Sequence, residues 1–131
     1  MKTETLITTV IVITGWLIAH LLTQHRERTK KRQDKRVEYL ITAYRNLEAS
    51  ANCDSTPEID KRIESAIADI HLFGNEKQIE LAIIFSNAMA NTGPASLDDL
   101  LLQLREDLRK ELKLSKVPRK LNYLRINVKK K

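Results

Sequence analysis

The chain has 131 residues, with 23 Lys or Arg against 17 Asp or Glu, a net charge of +6, one cysteine and three glycines. A single cysteine excludes an intrachain disulfide, and three scattered glycines exclude a glycine-rich phosphate loop. The charge is uneven: residues 26–36 hold seven basic and two acidic side chains, residues 37–112 seven and fourteen, residues 113–131 eight and none. The pattern is an acidic domain between two basic ends rather than a uniformly basic protein.

After a short N-terminal tail (residues 1–4), residues 5–23 read TLITTVIVITGWLIAHLLT, without one charged side chain. As a helix this run is roughly 29 Å long, close to the ~30 Å of a bilayer's hydrocarbon core. Its ten Leu, Ile and Val residues each favour insertion by about 0.3–0.6 kcal/mol. The expectation is a transmembrane helix. A buried strand would be nearer five or six residues. A secretory signal would carry a more basic start, a shorter apolar core and a small-residue cleavage site.

A basic juxtamembrane stem follows in residues 24–36, with Arg26, Arg28, Lys30, Lys31, Arg32, Lys35 and Arg36. Such residues favour the cytoplasmic side, so the N-terminus is expected outside and the domain in the cytoplasm, at the inner membrane if the cell is bacterial. The block is topology machinery first and an anionic-lipid contact second. Within the span, Gly15, Ala19 and Thr23 are spaced by four, a small-residue ladder suited to helix packing and self-association. His20 and Gln24 lie one turn apart at the membrane boundary, either as interfacial residues or as a polar helix-pairing site.

No Gly or Pro lies between Trp16 and Thr56, so one helix is expected to run on to about Ala51. Val37, Leu40, Ile41, Tyr44 and Leu47 give its later part an apolar stripe. Thr56 and Pro57 read as the cap and first position of a second helix, with Ile59, Ile63, Ala66, Ile67, Ile70 and Phe73 buried. Gly74 is expected to end it in the left-handed conformation. Asn75 and Gln78 form a capping box for a third helix, whose broad apolar face holds Ile79, Ala82, Ile83, Phe85 and Met89. Residues 91–94 break the chain. Ser96 is expected to cap a fourth helix, with Leu97, Leu100, Leu101, Leu104, Leu108 and Leu112 on one face. The fold class expected is all-α: one transmembrane helix, then an antiparallel bundle of about four helices over residues 37–117.

The basic C-terminal tail, residues 118–131, alternates Leu124, Ile126 and Val128 with Tyr123, Arg125 and Asn127, a strand-like period too short to define an element. Arg119, Lys120, Tyr123 and Arg125, together with Lys116 and Lys129 to Lys131, are candidate contacts for phosphates, for the acidic bundle or for a membrane surface.

No catalytic, cofactor or metal site is expected. His20, His25 and His71 share no ligand spacing with one another or with Cys53. Neither H-E-x-x-H nor G-x-S-x-G occurs. Cys53 reads as a free thiol, or else as an intermolecular disulfide. The chemistry points away from an enzyme with a small-molecule substrate and towards a single-pass, membrane-anchored helical interaction module. Membrane lipids and a protein partner or a second copy are its expected contacts. A self-assembling effector that perturbs the bilayer is the alternative. Nucleic-acid binding through the tail ranks last, because residues 37–112 would repel a polyanion.

Overall fold

In the computed structural model the chain is an all-α protein, and the structure describes residues 2–125. Four helices follow one another: α1 (Lys2–Ser50), α2 (Pro57–Phe73), α3 (Glu76–Thr92) and α4 (Asp98–Glu111). Contacts divide the chain into two compact units, Met1–Lys35 and Arg36–Lys131.

The first unit is helical throughout its described residues, and every one of them is exposed. Near the N-terminus it contains the one helical stretch, among the described residues, that is long and apolar enough to cross a membrane. Threonines are awkward in such a stretch, and the structure shows how they are accommodated. The hydroxyls of Thr8, Thr9, Thr14 and Thr23 each donate to the carbonyl four residues earlier, at 2.7–2.9 Å. Their polar hydrogens therefore need no other partner.

The second unit is a bundle of the α1 segment from Arg36 onward with α2, α3 and α4. Its core is built from Leu40, Ala43 and Leu47 of α1, Ala66 and Ile70 of α2, Ala82 and Phe85 of α3, and Leu100, Leu101, Leu104 and Leu108 of α4. Each large apolar side chain withdrawn from water contributes about 1.5–3 kcal/mol. The neighbours run antiparallel. Tyr39 near the start of the α1 segment stacks on Phe73 at the end of α2, ring centroids 4.5 Å apart. Asn75 and Gln78 at the start of α3 donate to Asp107 Oδ2 near the end of α4, at 3.1 and 2.8 Å.

Local signals act largely as expected. Thr56 accepts from Ile59 N–H and precedes Pro57, while Asn75 and Gln78 close a complete capping box. Gly74 differs: its backbone is extended, with φ −68° and ψ 161°. Its N–H donates to Ile70 O at 2.7 Å, and a Cβ would come within 2.4 Å of that same oxygen. Closeness, not handedness, requires the glycine. Ser96 accepts from Asp98 N–H at 3.2 Å, but the regular helix begins only at Asp98, with Leu97 at the cap position. Leu112 is 49% exposed, because α4 ends at Glu111. There Lys113, at φ 56°, completes a Schellman turn. Lys113 N–H donates to Lys110 O and Leu114 N–H to Arg109 O, at 3.0 and 2.8 Å. On α3 the buried positions are Gln78, Ala82 and Phe85, whereas Ile83 and Met89 are 45% and 40% exposed. Residues 118–125 form no strand. Ile126, Asn127, Val128 and Lys129 to Lys131 lie outside the described residues.

Candidate functional site

Gly15, Ala19 and Thr23 follow at one-turn intervals on α1. Nothing lies within 4 Å of the space a side chain at Gly15 would enter. Beside them runs a polar row: the Trp16 and His20 rings stack with centroids 5.5 Å apart, and Gln24 Nε2 lies 3.1 Å from His20 Nε2. Arg26, Arg28, Lys30, Lys31, Arg32 and Lys35 are all exposed. None of the six forms an ion pair among the described residues.

Arg36 behaves differently from the rest of that block and belongs to the bundle. Its Nε donates to Phe73 O at 2.7 Å, and a terminal nitrogen pairs with Glu111 Oε1 at 3.0 Å. It thus satisfies a carbonyl that α2 leaves open at its C-terminus.

The described part of the tail is likewise held by the bundle. Arg119 pairs with Glu106 at 2.8 Å, and Lys120 O accepts from Arg105 at 2.7 Å. Tyr123 donates its hydroxyl hydrogen to Asp98 Oδ1 at 2.6 Å. Arg125 pairs with Glu48 at 3.2 Å, stands over the Tyr123 ring, and donates to the carbonyls of Glu48 and Ala51. No basic residue stands in the last turn of α1. Arg125 supplies that charge from a distant part of the chain, at the negative end of the helix. Burial, then the hydrogen bond and charge of Asp98, push the Tyr123 phenol well above its ordinary range. Burial likewise raises Tyr44, against the opposing effect of Arg105. Arg119, Tyr123 and Arg125 thus contact acidic side chains of the bundle, whereas the side chains of Lys116 and Lys120 form no ion pair among the described residues.

A different surface is left uncovered. Ile59, Ile63 and Ile67 of α2 face Phe85 and Met89 of α3 across an apolar groove. It consists of two open-sided hollows, about 400 and 720 Å³, that share Ser55, Asp60, Ile63, Phe85 and Met89. The titratable side chains that line it are Asp60, Glu64, Asp98, His71 and Cys53, with no Lys or Arg among the described residues. Asp60 accepts from Ser55 at 2.9 Å. Glu64 has no hydrogen-bond or ion-pair partner among the described residues. By contrast, a hollow of about 630 Å³ beside residues 113–117 carries both signs of charge, including Glu106, Asp107, Arg109 and Lys116.

The sequence places Ile63 on the buried face of α2 and Phe85 and Met89 on the broad apolar face of α3. Phe85 is buried in the core, and all three also line the groove, which the sequence pattern does not reveal. The apolar arc on α3 is wider than one neighbour can bury, but its exposed residues Ile83 and Ile84, 45% and 56% exposed, lie outside the groove.

Among the described residues no three His, Cys, Asp or Glu side chains are placed to hold a metal ion. Cys53 is exposed and its Sγ lies 3.3 Å from Ala49 O. No family model, no curated protein and no solved structure matches this chain.

Proposed function

We propose that this protein is a single-pass, membrane-tethered interaction module that uses the α2/α3 groove to hold a partner protein at the cytoplasmic face. The apolar helix of residues 5–23 is the anchor, and the basic block that follows directs the N-terminus outward. In a bacterial cell the membrane is the inner membrane. The single observation that carries the reading is the groove. Concave, largely apolar surfaces with a few polar groups at the rim are the usual form of a binding site. No catalytic role is proposed, since no nucleophile and base meet in it.

Recovery of the tagged full chain from nuclease-treated native membranes in mild detergent tests the reading. One protein should co-purify at near-stoichiometric yield, and Met89→Lys, which places a charge on the groove floor, should lose it. Recovery of the chain alone as a stable oligomer would favour the effector that self-assembles in the bilayer, motivated by Gly15, Ala19, Thr23 and the neighbouring His20. The nucleic-acid reading has less support, because Arg119 and Arg125 already pair with Glu106 and Glu48.

A further inference from the structure

We infer that the occupant of the α2/α3 groove is a cationic amphipathic helix of a partner protein. The inference rests on the recruitment reading and adds the chemistry of what is recruited. Three observations combine. From Ile59 to His71 the groove follows α2 for thirteen residues, about 18 Å at helical rise, which is the length of some three turns of a docked helix. Its floor is branched aliphatic and aromatic, with a methionine that adapts to the shape of an apolar guest. Helix-in-groove recognition uses such a floor through anchors at i, i+3 or i+4, and i+7. The third observation decides the sign of the guest. Within residues 37–112, which hold seven basic and fourteen acidic side chains, the groove is lined by Asp60, Glu64 and Asp98 and by no Lys or Arg. Asp98 is engaged by Tyr123. Asp60 accepts from Ser55 but stays exposed, and Glu64, one turn further along α2, is exposed and has no partner among the described residues, so these two form the rim a cation meets, Glu64 foremost. An anionic helix would place its charges against these carboxylates without a compensating cation, a like-charge contact that selects against it. The basic neck of a second copy, RERTKKRQDKR, is a poorer guest, because it has no apolar face.

The test uses the full chain in nanodiscs of zwitterionic phosphatidylcholine, with empty nanodiscs as blank. The probes are two fluorescent peptides, a Leu/Lys amphipathic helix and its Leu/Glu counterpart. The wild type should bind the Leu/Lys peptide and not the Leu/Glu peptide, and added salt should weaken binding. Glu64→Lys, and Asp60→Lys with Glu64→Lys, should weaken Leu/Lys binding by about tenfold and let the Leu/Glu peptide bind. Unchanged thermal melting shows that the variants are folded, and Glu64→Lys alone, at an exposed mid-helix position, serves if the double variant is not. Equal affinity for the two peptides, or no change in the charge-reversed variants, overturns the inference. A native partner lost on Met89→Lys but docking through an acidic or neutral segment would also overturn it, while leaving the recruitment reading intact. Absence of any partner removes both.

Discussion

At Gly74 the constraint is a distance. The chain passes from α2 to α3 through two residues, and the extended Gly74 carries its N–H back to Ile70 O at 2.7 Å. A methyl group there would lie 2.4 Å from that oxygen, with Gln78 Oε1 and the Ile70 side chain at 3.2 Å. Gly74→Ala should therefore destabilise the bundle by about 1–3 kcal/mol, the usual cost of overpacking. Thermal or urea unfolding of the full chain in detergent measures it, and an unchanged midpoint would mean that the α2 terminus gives way freely. The presence of a glycine at this position was legible in the sequence as a helix stop. Its backbone conformation was not, because the same residue type serves both a left-handed turn and a tight approach. The arginines show the same limit. Composition marks Arg36 and Arg125 as members of basic stretches, but their value to the fold lies in carbonyls at the ends of α2 and α1, which no local pattern records.

At the scale of elements, caps were the most legible features, because Thr56 with Pro57 and Asn75 with Gln78 make their bonds within three residues. The leucine face of α4 was equally clear up to Leu108. The face of α3 was not. Periodicity shows that a helix is apolar on one side, but it does not say which part of a broad arc another helix covers. Ile83 and Ile84 lie on the uncovered part. In α1 Gly15, Ala19 and Thr23 recur at one-turn intervals, with nothing within 4 Å of the space beside Gly15, and we propose this row as the contact face for a second copy. Gly15→Ile with Ala19→Ile should weaken self-association of the span in a membrane two-hybrid assay, by about 1 kcal/mol or more where close backbone approach drives packing. An undiminished signal would show that the ladder is not the contact face.

At the scale of the whole bundle, two cations of the chain's own tail, Arg119 and Arg125, pair with Glu106 and Glu48 of the acidic helices. Tyr123 couples that docking to pH. Its phenol, raised by burial and by Asp98 above the ordinary 10.0, holds its proton more tightly folded than unfolded. The resulting stability is complete below pH 10.0, and is lost as pH rises through the folded value. Tyr44 carries the same sign. Tyr123→Phe should therefore cost about 0.5–1.5 kcal/mol near neutrality for the lost hydrogen bond, and should flatten, without abolishing, the alkaline fall in melting temperature. An unaltered alkaline slope would place the tail away from Asp98. The Arg125 contact carries a further consequence, one of timing. Arg125 follows Glu48 by 77 residues, so at roughly 5–20 residues per second α1 is synthesised some 4–15 s before the group that caps its last carbonyls. A nascent chain stalled between Ser50 and Arg125 carries all of α1 with its last carbonyls still lacking that partner. Ribosome-bound intermediates of this protein are thus left to water, or to a chaperone, for the interval in which its first helix awaits its last contact.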